Sequence, residues 1–227
     1  MHKIILAGEN SILIYFGDKI DASLPEIIGN FAYQLKNELS DVIIDLIPSY
    51  TSLHVSYDLN TISYQDFCSR VEKCLAKDVS ASTTFTPQTI HIPVYYGFEV
   101  GLDLERLLAE KELDLDAFID IHSSQDYLVH AIGFSPVFAF LGEVDKRIQT
   151  PRLATPRIKI PAGSVGIAES QTAVYPTESS GGWNIIGRTL IDLSLNNPDN
   201  INKFSVGDRV KFYPITKDEF VNSGGTL

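Results

Sequence analysis

The chain has 227 residues, of which 44% are hydrophobic and 21% charged, and its formal net charge is −11. This composition predicts a soluble globular protein with room for one large domain or two small ones, and no apolar run approaches the roughly 18 residues of a membrane-spanning helix. Because nucleic-acid and anionic-membrane surfaces are bound by clustered Lys and Arg, the acidic balance argues against both kinds of partner.

The first eighty residues alternate between strand and helix patterns. Apolar side chains follow strand spacing in SILIYFG and helical spacing in DASLPEIIGNFAYQLKNEL. Two further strands with a turn near Pro48 and a second helix follow, in DVIIDLIPSYTSLHVSYD and SYQDFCSRVEKCLAK. The predicted order is βαββα over a first domain, residues 1–80, and the Ser- and Thr-rich residues 78–87 are predicted to be a linker.

The second half begins with the strand TIHIPVYYG and two short acidic helices, the first with Asp103 as its predicted N-cap. His122 lies on the apolar stripe of the second helix, where a histidine is either a hydrogen-bonded core residue or a group that titrates usefully. Short strands then recur at regular spacing, in YLVHAIGF, RIKIPAGSVGIA, QTAVYP, WNIIGRTLIDL and DRVKFYPI. This pattern predicts a closed or sandwiched β domain with two helices over residues 88–227.

The N-terminus and the cysteines bear on the cellular compartment. Apolar runs in the first twenty residues are interrupted by Gly8, Glu9 and Asn10, and no small-residue cleavage site follows them. Cys68 and Cys74 are the only cysteines, and their spacing fits neither a CxxC pair nor a metal cluster. We therefore expect a cytoplasmic protein with reduced thiols and no bound metal.

A basic segment stands out in this acidic chain. Residues 146–188 contain six Lys and Arg but only two acidic residues, Glu169 and Glu178. The segment ends near ESSGGWNIIGRTLIDL, where two glycines precede the single tryptophan, Trp183, and Arg188 follows. Bare backbone, an indole and a guanidinium could form a pocket for a small anion. The alternative is a tight turn into a strand, with Trp183 in the core and Arg188 at the surface.

Known catalytic motifs do not name an enzyme class, since the sequence contains no P-loop, GxGxxG, HExxH or GxSxG pattern. An ordered series of other motifs nevertheless resembles a known family: YLVHAIGFSPVFAFLG, PRLATPRIKIPAGSVGIAESQTAVYP, GGWNIIGRT and GDRVKFYPI, with IPVYYG and His122 before them. On these residues the chain is identified as a member of the allophanate hydrolase subunit 1 family, also called the 5-oxoprolinase B-subunit or sporulation-kinase-inhibitor (KipI-like) family.

The resemblance implies an α+β protein with a ferredoxin-like N-terminal βαββα domain and a cyclophilin-like β-barrel domain carrying two short helices. It implies the B subunit of an ATP-dependent 5-oxoprolinase, a hydrolase of the lactam that is inactive without a homologous C subunit and works with a third hydrolase subunit. ATP would be bound mainly by the partner. The resemblance also leaves open a non-catalytic inhibitor of a sensor histidine kinase, or a carboxyltransferase component of a urea carboxylase and allophanate hydrolase system.

The recurrent motifs of the family carry two groups of residues into the candidate site. The resemblance implies an anion-binding and proton-transferring group, which consists of His122, Arg152, Arg157 and Arg188. It also implies a substrate-binding group, which consists of Ser164, Gln171, Tyr175, Gly181, Gly182 and Trp183. If each arginine contributes the usual charge-assisted contact of about 1.5–3 kcal/mol, two of them convert millimolar into micromolar binding.

Four positions depart from the family pattern. The family usually has glycine at the positions of Val137, Glu169 and Ala173, and proline at the position of Ser180. A larger side chain that pointed into the pocket would narrow or recharge it, whereas one that pointed outward would leave the function intact.

Overall fold

The computed structural model describes residues 2–77 and 86–227, so most of the predicted linker lies outside the described residues. The chain divides into two compact units, Met1–Pro87 and Gln88–Leu227. None of the helices within the described ranges combines the length and the hydropathy that are needed to cross a membrane.

The first unit is a four-stranded antiparallel sheet with two helices. Its strands are β1 (Lys3–Gly8), β2 (Ser11–Tyr15), β3 (Ile43–Ser49) and β4 (Ser52–Tyr57), in the order β1-β2-β4-β3, and its helices are α1 (Leu24–Glu38) and α2 (Tyr64–Leu75). The predicted βαββα order is present from β2 to α2, and β1 is an additional strand that the prediction lacked. The ferredoxin-like classification stays a prediction.

Alternation in the strands explains why both helices can share one core. Ile12 and Ile14 of β2 and Leu53 and Val55 of β4 are fully buried, while the residues between them are only half-buried. Because successive side chains of a strand point to opposite faces, these four residues define one inner face of the sheet. The helices contribute the remaining core residues, which include Ile28, Phe31, Leu35, Phe67 and Val71.

The second unit is built on a seven-stranded sheet in the order β12-β9-β10-β7-β6-β13-β5, with a two-stranded ribbon of β8 and β11 beside it. The strands are β5 (Thr89–Val94), β6 (Asp126–Ile132), β7 (Ala139–Gly142), β8 (Arg157–Ile160), β9 (Ser164–Ala168), β10 (Gln171–Val174), β11 (Ser179–Gly181), β12 (Asn184–Arg188) and β13 (Arg209–Pro214). The helices are α3 (Leu104–Lys111), α4 (Leu115–Ser123) and α5 (Lys217–Asn222), with a 3₁₀ turn at Pro198–Asn202.

The edges of the long sheet meet, so that it forms a nearly closed β-barrel. Tyr95 follows β5 and pairs with Arg188 at the end of β12: each backbone N–H donates to the other's carbonyl oxygen at 2.9 Å. A barrel with few helices confirms the predicted β domain in its coarse form. The cyclophilin-like classification stays a prediction.

The predicted strand RIKIPAGSVGIA is wrong as a single element, because it is divided into β8 and β9, which belong to different sheets. Between them Pro161 lacks a backbone N–H, and Gly163 has a φ of 78°. A Cβ atom on Gly163 would lie 2.2 Å from the carbonyl oxygen of Thr189. Only glycine therefore fits this turn without displacing the backbone of the neighbouring segment.

Two of the four departures from the family pattern have a left-handed backbone. The φ angle is 65° at Val137 and 53° at Glu169, whereas Ala173 and Ser180 are not among the residues with positive φ. Glu169 is exposed and is the first of two residues that join β9 to β10. Glycine is the favoured residue at such a turn position because it has no Cβ to clash.

We therefore predict that Glu169→Gly raises the free energy of unfolding by about 0.5–1 kcal/mol. Glycine removes the strain of a left-handed backbone that carries a Cβ atom, and the greater entropy of glycine in the unfolded chain offsets part of this gain. Urea denaturation measures this difference. Glu169→Ala is the matched control, since it removes the charge but keeps the Cβ atom, and it should stay within about 0.5 kcal/mol of the parent chain. An equal gain in both variants would assign the effect to charge.

Candidate functional site

A buried ion pair connects α3 to the strands around the candidate site. Asp103 stands at the N-cap position of α3, as predicted, but its side chain makes no capping hydrogen bond. Instead its two carboxylate oxygens accept one hydrogen bond each from Arg157 Nη1 and Nη2, both at 2.8 Å. Oδ2 also accepts from the backbone N–H of Ile185 at 2.7 Å. With 4% of Asp103 exposed, this one carboxylate joins α3, β8 and β12.

The second unit also contains a cleft of about 110 Å³, and most of its lining side chains are aromatic. The lining residues come from the loops after β6 and before β8 and from strands β7, β10 and β11 or residues next to them. They are Phe134, Phe138, Phe140, Arg152, Tyr175, Gly181, Gly182 and Trp183. The rings of Phe138 and Trp183 meet edge to face at 5.6 Å, and both side chains are almost fully buried. The cleft therefore offers a rigid apolar wall to a flat ligand.

Arg152 supplies the positive charge of the cleft. Its guanidinium carbon lies 5.9 Å from the centroid of the Trp183 ring, within the range of a cation–π contact, and the residue is exposed. None of the ion pairs found among residues 2–77 and 86–227 involves Arg152. Arg152 can therefore turn its donors toward an anionic ligand without first breaking a salt bridge.

The two glycines before Trp183 differ in how strictly they are required. A Cβ atom on Gly181 would lie 2.3 Å from the hydroxyl oxygen of Tyr175, so Gly181 permits this hydroxyl to reach the cleft. The nearest atom to a Cβ on Gly182 would be 3.6 Å away, which is an ordinary contact. Burial raises the pKa of Tyr175, and the Trp183 amide and the guanidinium groups of Arg152 and Arg157 oppose that shift.

Other residues predicted for the site lie elsewhere in the second unit. Arg157 is bound to Asp103, as described above, and Arg188 closes the barrel through its backbone while its Nε donates to the Ala162 carbonyl at 3.1 Å. Ser164 is buried at the start of β9, and Gln171 is half-buried at the start of β10. The structure thus brings together five of the ten predicted residues, which are Arg152, Tyr175, Gly181, Gly182 and Trp183.

His122 lies inside the barrel, fully buried. Its Nδ1 is 2.7 Å from the Tyr96 hydroxyl and its Nε2 is 3.1 Å from Thr172 Oγ1. Burial lowers the pKa of the imidazole to about 3. The neutral ring therefore satisfies two hydroxyl groups of the core, which agrees with the core alternative that the sequence left open.

Sequence reasoning missed the aromatic part of the cleft and the anchor of Arg157. Phe134, Phe138 and Phe140 were not selected, although their clustering within GFSPVFAF was a visible signal. Asp103 was predicted as a helix cap because its position before an apolar periodic run is typical of one. Within the described residues no group of three His, Cys, Asp or Glu side chains could hold a metal ion.

Comparisons with known proteins agree on one family. A model described as the carboxyltransferase domain, subdomain C and D, matches residues 2–201. The B subunit of the Bacillus subtilis 5-oxoprolinase is 34% identical over 229 residues, which cover 96% of this chain and 95% of that protein.

Solved structures add to this agreement. A conserved uncharacterized protein from Pyrococcus horikoshii is 40% identical, with a TM-score of 0.56 over 96% of this chain and all of that one. The Kluyveromyces lactis urea carboxylase shares the fold, with a TM-score of 0.69 at 18% identity over 97% of this chain and 22% of that one. Another, longer solved chain, 28% identical with a TM-score of 0.78, is covered over only 40% of its length.

We predict that Asp103→Asn lowers the free energy of unfolding of the second unit by about 2 kcal/mol. The substitution leaves the guanidinium of Arg157, whose side chain is 28% exposed, without its counter-charge, so the loss lies below the roughly 3–5 kcal/mol of a fully buried pair. Asp41→Asn is the control, because the Arg70–Asp41 pair has the same 2.8 Å contact but is exposed. Exposed pairs contribute less than about 1 kcal/mol, so equal losses in urea denaturation would contradict the assignment.

The pKa of His122 predicts an acid-dependent loss of stability. The unfolded chain binds a proton at the ordinary histidine pKa of 6.5, while the folded chain resists protonation until about pH 3. The contribution of His122 to the free energy of unfolding is therefore complete above pH 6.5, and it falls by about 1.4 kcal/mol per pH unit as the pH drops toward 3. Between pH 6.5 and 5, the free energy of unfolding of His122→Gln should therefore fall by about 2 kcal/mol less than that of the parent chain, as measured by urea denaturation. His130, whose pKa burial also lowers, keeps part of the slope; an unchanged slope in the variant would contradict the prediction.

Proposed function

The chain belongs to the family of the carboxyltransferase domain, subdomains C and D, and we propose that it is the B subunit of an ATP-dependent 5-oxoprolinase, which opens 5-oxoproline to glutamate. The observation that carries this proposal is the match to the B subunit of the Bacillus subtilis 5-oxoprolinase over almost the full length of both proteins. A match of that extent covers both compact units and not only a shared barrel.

The chemistry of the cleft supports the proposal. 5-Oxoproline is a small ring with one carboxylate, and the cleft combines the guanidinium of Arg152 with aromatic walls. Arg152 would hold the carboxylate, Trp183 and Phe138 would pack against the ring, and the Tyr175 hydroxyl would donate to the substrate. A single charge-assisted contact contributes about 1.5–3 kcal/mol, which by itself gives only weak binding. Because this chain alone would bind 5-oxoproline weakly, the proposal favours a shared site to which a partner subunit adds further contacts.

The remaining predicted residues take supporting roles in this proposal. Arg157 holds Asp103 and the strands that carry the cleft, and Arg188 holds the barrel closed. Proton transfer by His122, which the family resemblance implied, would require the core to open around both ring nitrogens. Ser164 and Gln171 would reach a substrate only across a larger, shared cleft.

Partners and cofactor follow from the same proposal. The chain would work in the cytoplasm with a C-subunit homologue and a third hydrolase subunit. ATP would be bound mainly by the partners, because this sequence contains no P-loop. Inhibition of a sensor histidine kinase and carboxyl transfer in a urea carboxylase system are the alternatives, and each predicts a different partner, a kinase or a biotin-bearing protein.

We predict that a mixture of the three subunits hydrolyses ATP when 5-oxoproline is present and that this chain alone does not. Release of phosphate and glutamate measures the reaction. Arg152→Gln should raise the KM for 5-oxoproline about tenfold or more, because it removes a charge-assisted contact of at least about 1.4 kcal/mol.

The matched control is Arg147→Gln, since Arg147 is an exposed arginine that pairs with Asp145 away from the cleft lining. It should leave the KM unchanged. Absence of 5-oxoproline-dependent ATP hydrolysis in the assembled mixture would contradict the proposed function. Capture of a histidine kinase or a biotinylated protein in place of a C-subunit homologue would favour the corresponding alternative.

A further inference from the structure

The segment that carries Arg152 lies alongside the segment that carries Trp183, although these two segments form no regular strand pair in the described part of the chain. The backbone N–H of Leu153 donates to the Gly182 carbonyl at 2.8 Å. Two residues earlier, the Pro151 carbonyl accepts from Asn184 Nδ2 at 2.9 Å. Residues 151, 152 and 153 thus face residues 184, 183 and 182 in antiparallel order, with Arg152 opposite Trp183.

The contact at Pro151 needs a side-chain donor from the Trp183 segment. Pro151 has no backbone N–H and can be tied only through its carbonyl oxygen. The backbone of Asn184 is already paired with Ile167 in the barrel sheet. The amide of the Asn184 side chain therefore takes the place of a backbone donor, and it also donates to the Ile167 carbonyl at 3.1 Å.

The Asn184 amide is itself held in one orientation. The residue is 1% exposed, and its Oδ1 accepts from Arg106 Nη2 at 2.6 Å. Arg106 in turn lies within 3.5 Å of Asp103, so the buried ion pair and the amide belong to one network. Of the three polar contacts of the Asn184 side chain, the one to Ile167 is buried and the ones to Pro151 and Arg106 are partly buried, so replacing Asn184 removes its fixed orientation together with these hydrogen bonds.

We propose that Asn184 is a positioning residue that fixes Arg152 over the Trp183 ring and thereby aims its guanidinium at an anionic ligand in the cleft. The proposal rests on the proposed function only in taking this cleft as the anion site. Without the Asn184 amide, the Arg152 segment keeps its backbone contacts at Leu153 and at Thr150, whose carbonyl accepts from the Glu169 N–H at 2.7 Å. It loses the contact at Pro151, so the residue before Arg152 is no longer held against the Trp183 segment and the guanidinium loses its fixed place above the indole.

The experiment uses Trp183 as its own reporter, since it is the only tryptophan of the chain. Quenching of its fluorescence by iodide depends on the nearby positive charge, whereas quenching by neutral acrylamide reports access alone. A unit charge 5.9 Å away enriches iodide about threefold in a medium as polar as water. We expect Asn184→Ala to lower the ratio of the iodide to the acrylamide quenching constant about two- to threefold at constant, low ionic strength. Arg152→Gln should lower it equally, and the double variant should lower it no further.

Asn200→Ala is the matched control, because Asn200 is also a buried asparagine whose Nδ2 donates to a backbone carbonyl, that of Ser194, at 2.8 Å. Asn184→Ala should lose more stability than Asn200→Ala because it removes more hydrogen bonds, but only Asn184→Ala should change the quenching ratio. An unchanged ratio in Asn184→Ala, with the fold verified by circular dichroism, would overturn the proposal and leave Asn184 a structural residue.

A second measurement uses the assembled three-subunit mixture. Asn184→Ala should raise the KM for 5-oxoproline while kcat changes little, since it displaces a binding group. A fall in kcat at constant KM would contradict the positioning role. If the unmodified mixture shows no activity toward 5-oxoproline, the proposed function fails, and the quenching ratio still decides the role of Asn184.

Discussion

The carboxylate of Asp103 is the constraint on which the candidate site depends. A buried negative charge is costly unless it is paired and hydrogen-bonded, and here both oxygens are occupied by Arg157 and the Ile185 amide. These partners belong to β8 and β12, so the electrostatic requirement of one side chain fixes the relative places of a ribbon and a barrel strand. Three cleft-lining residues adjoin these elements: Gly181 pairs with Arg157 of β8, and Gly182 and Trp183 directly precede β12.

Ion pairs also determine which basic side chains remain available to a ligand. Arg157, Lys159 and Arg147 each have an acidic partner, with Asp103, Glu178 and Asp145 respectively. These pairs offset part of the positive field that the sequence of residues 146–188 suggests. Lys146, Arg152 and Arg188 are in none of the ion pairs of the described residues, and of these three only Arg152 lines the cleft. A guanidinium over an indole favours a small, flat anion with one charge, because a multiply charged phosphate chain would need several cations.

In this part of the fold, side-chain hydrogen bonds also take the place of backbone hydrogen bonds. Pro151 and Gly163 interrupt regular pairing, the first because it lacks an N–H and the second because its backbone is left-handed. The side-chain amide of Asn184 supplies the donor for the Pro151 carbonyl, since the backbone of Asn184 is already paired with Ile167.

The sequence by itself determined the elements whose signals lie in consecutive residues. The periodicity of α1 to α4, most strands of both units and the family were predictable, because hydrophobic spacing and turn residues act over short distances. Even the missed helix α5 carried a local signal, the capping box of Thr216 and Glu219. The glycine-tryptophan segment contributes Gly181, Gly182 and Trp183 to the cleft, and the motifs of the family resemblance contribute Arg152 and Tyr175; their role in binding stays a prediction.

Only the tertiary structure decided which of the predicted site residues meet. Arg157 and Arg152 look alike in the sequence, yet Arg157 is bound by a carboxylate 54 residues away, whereas Arg152 lies over an indole. The contact between Pro151 and Asn184 spans 33 residues and depends on the register of β12 in the barrel. Such pairings arise from sheet order and burial, which no short stretch of sequence encodes, because each depends on where distant strands come to lie.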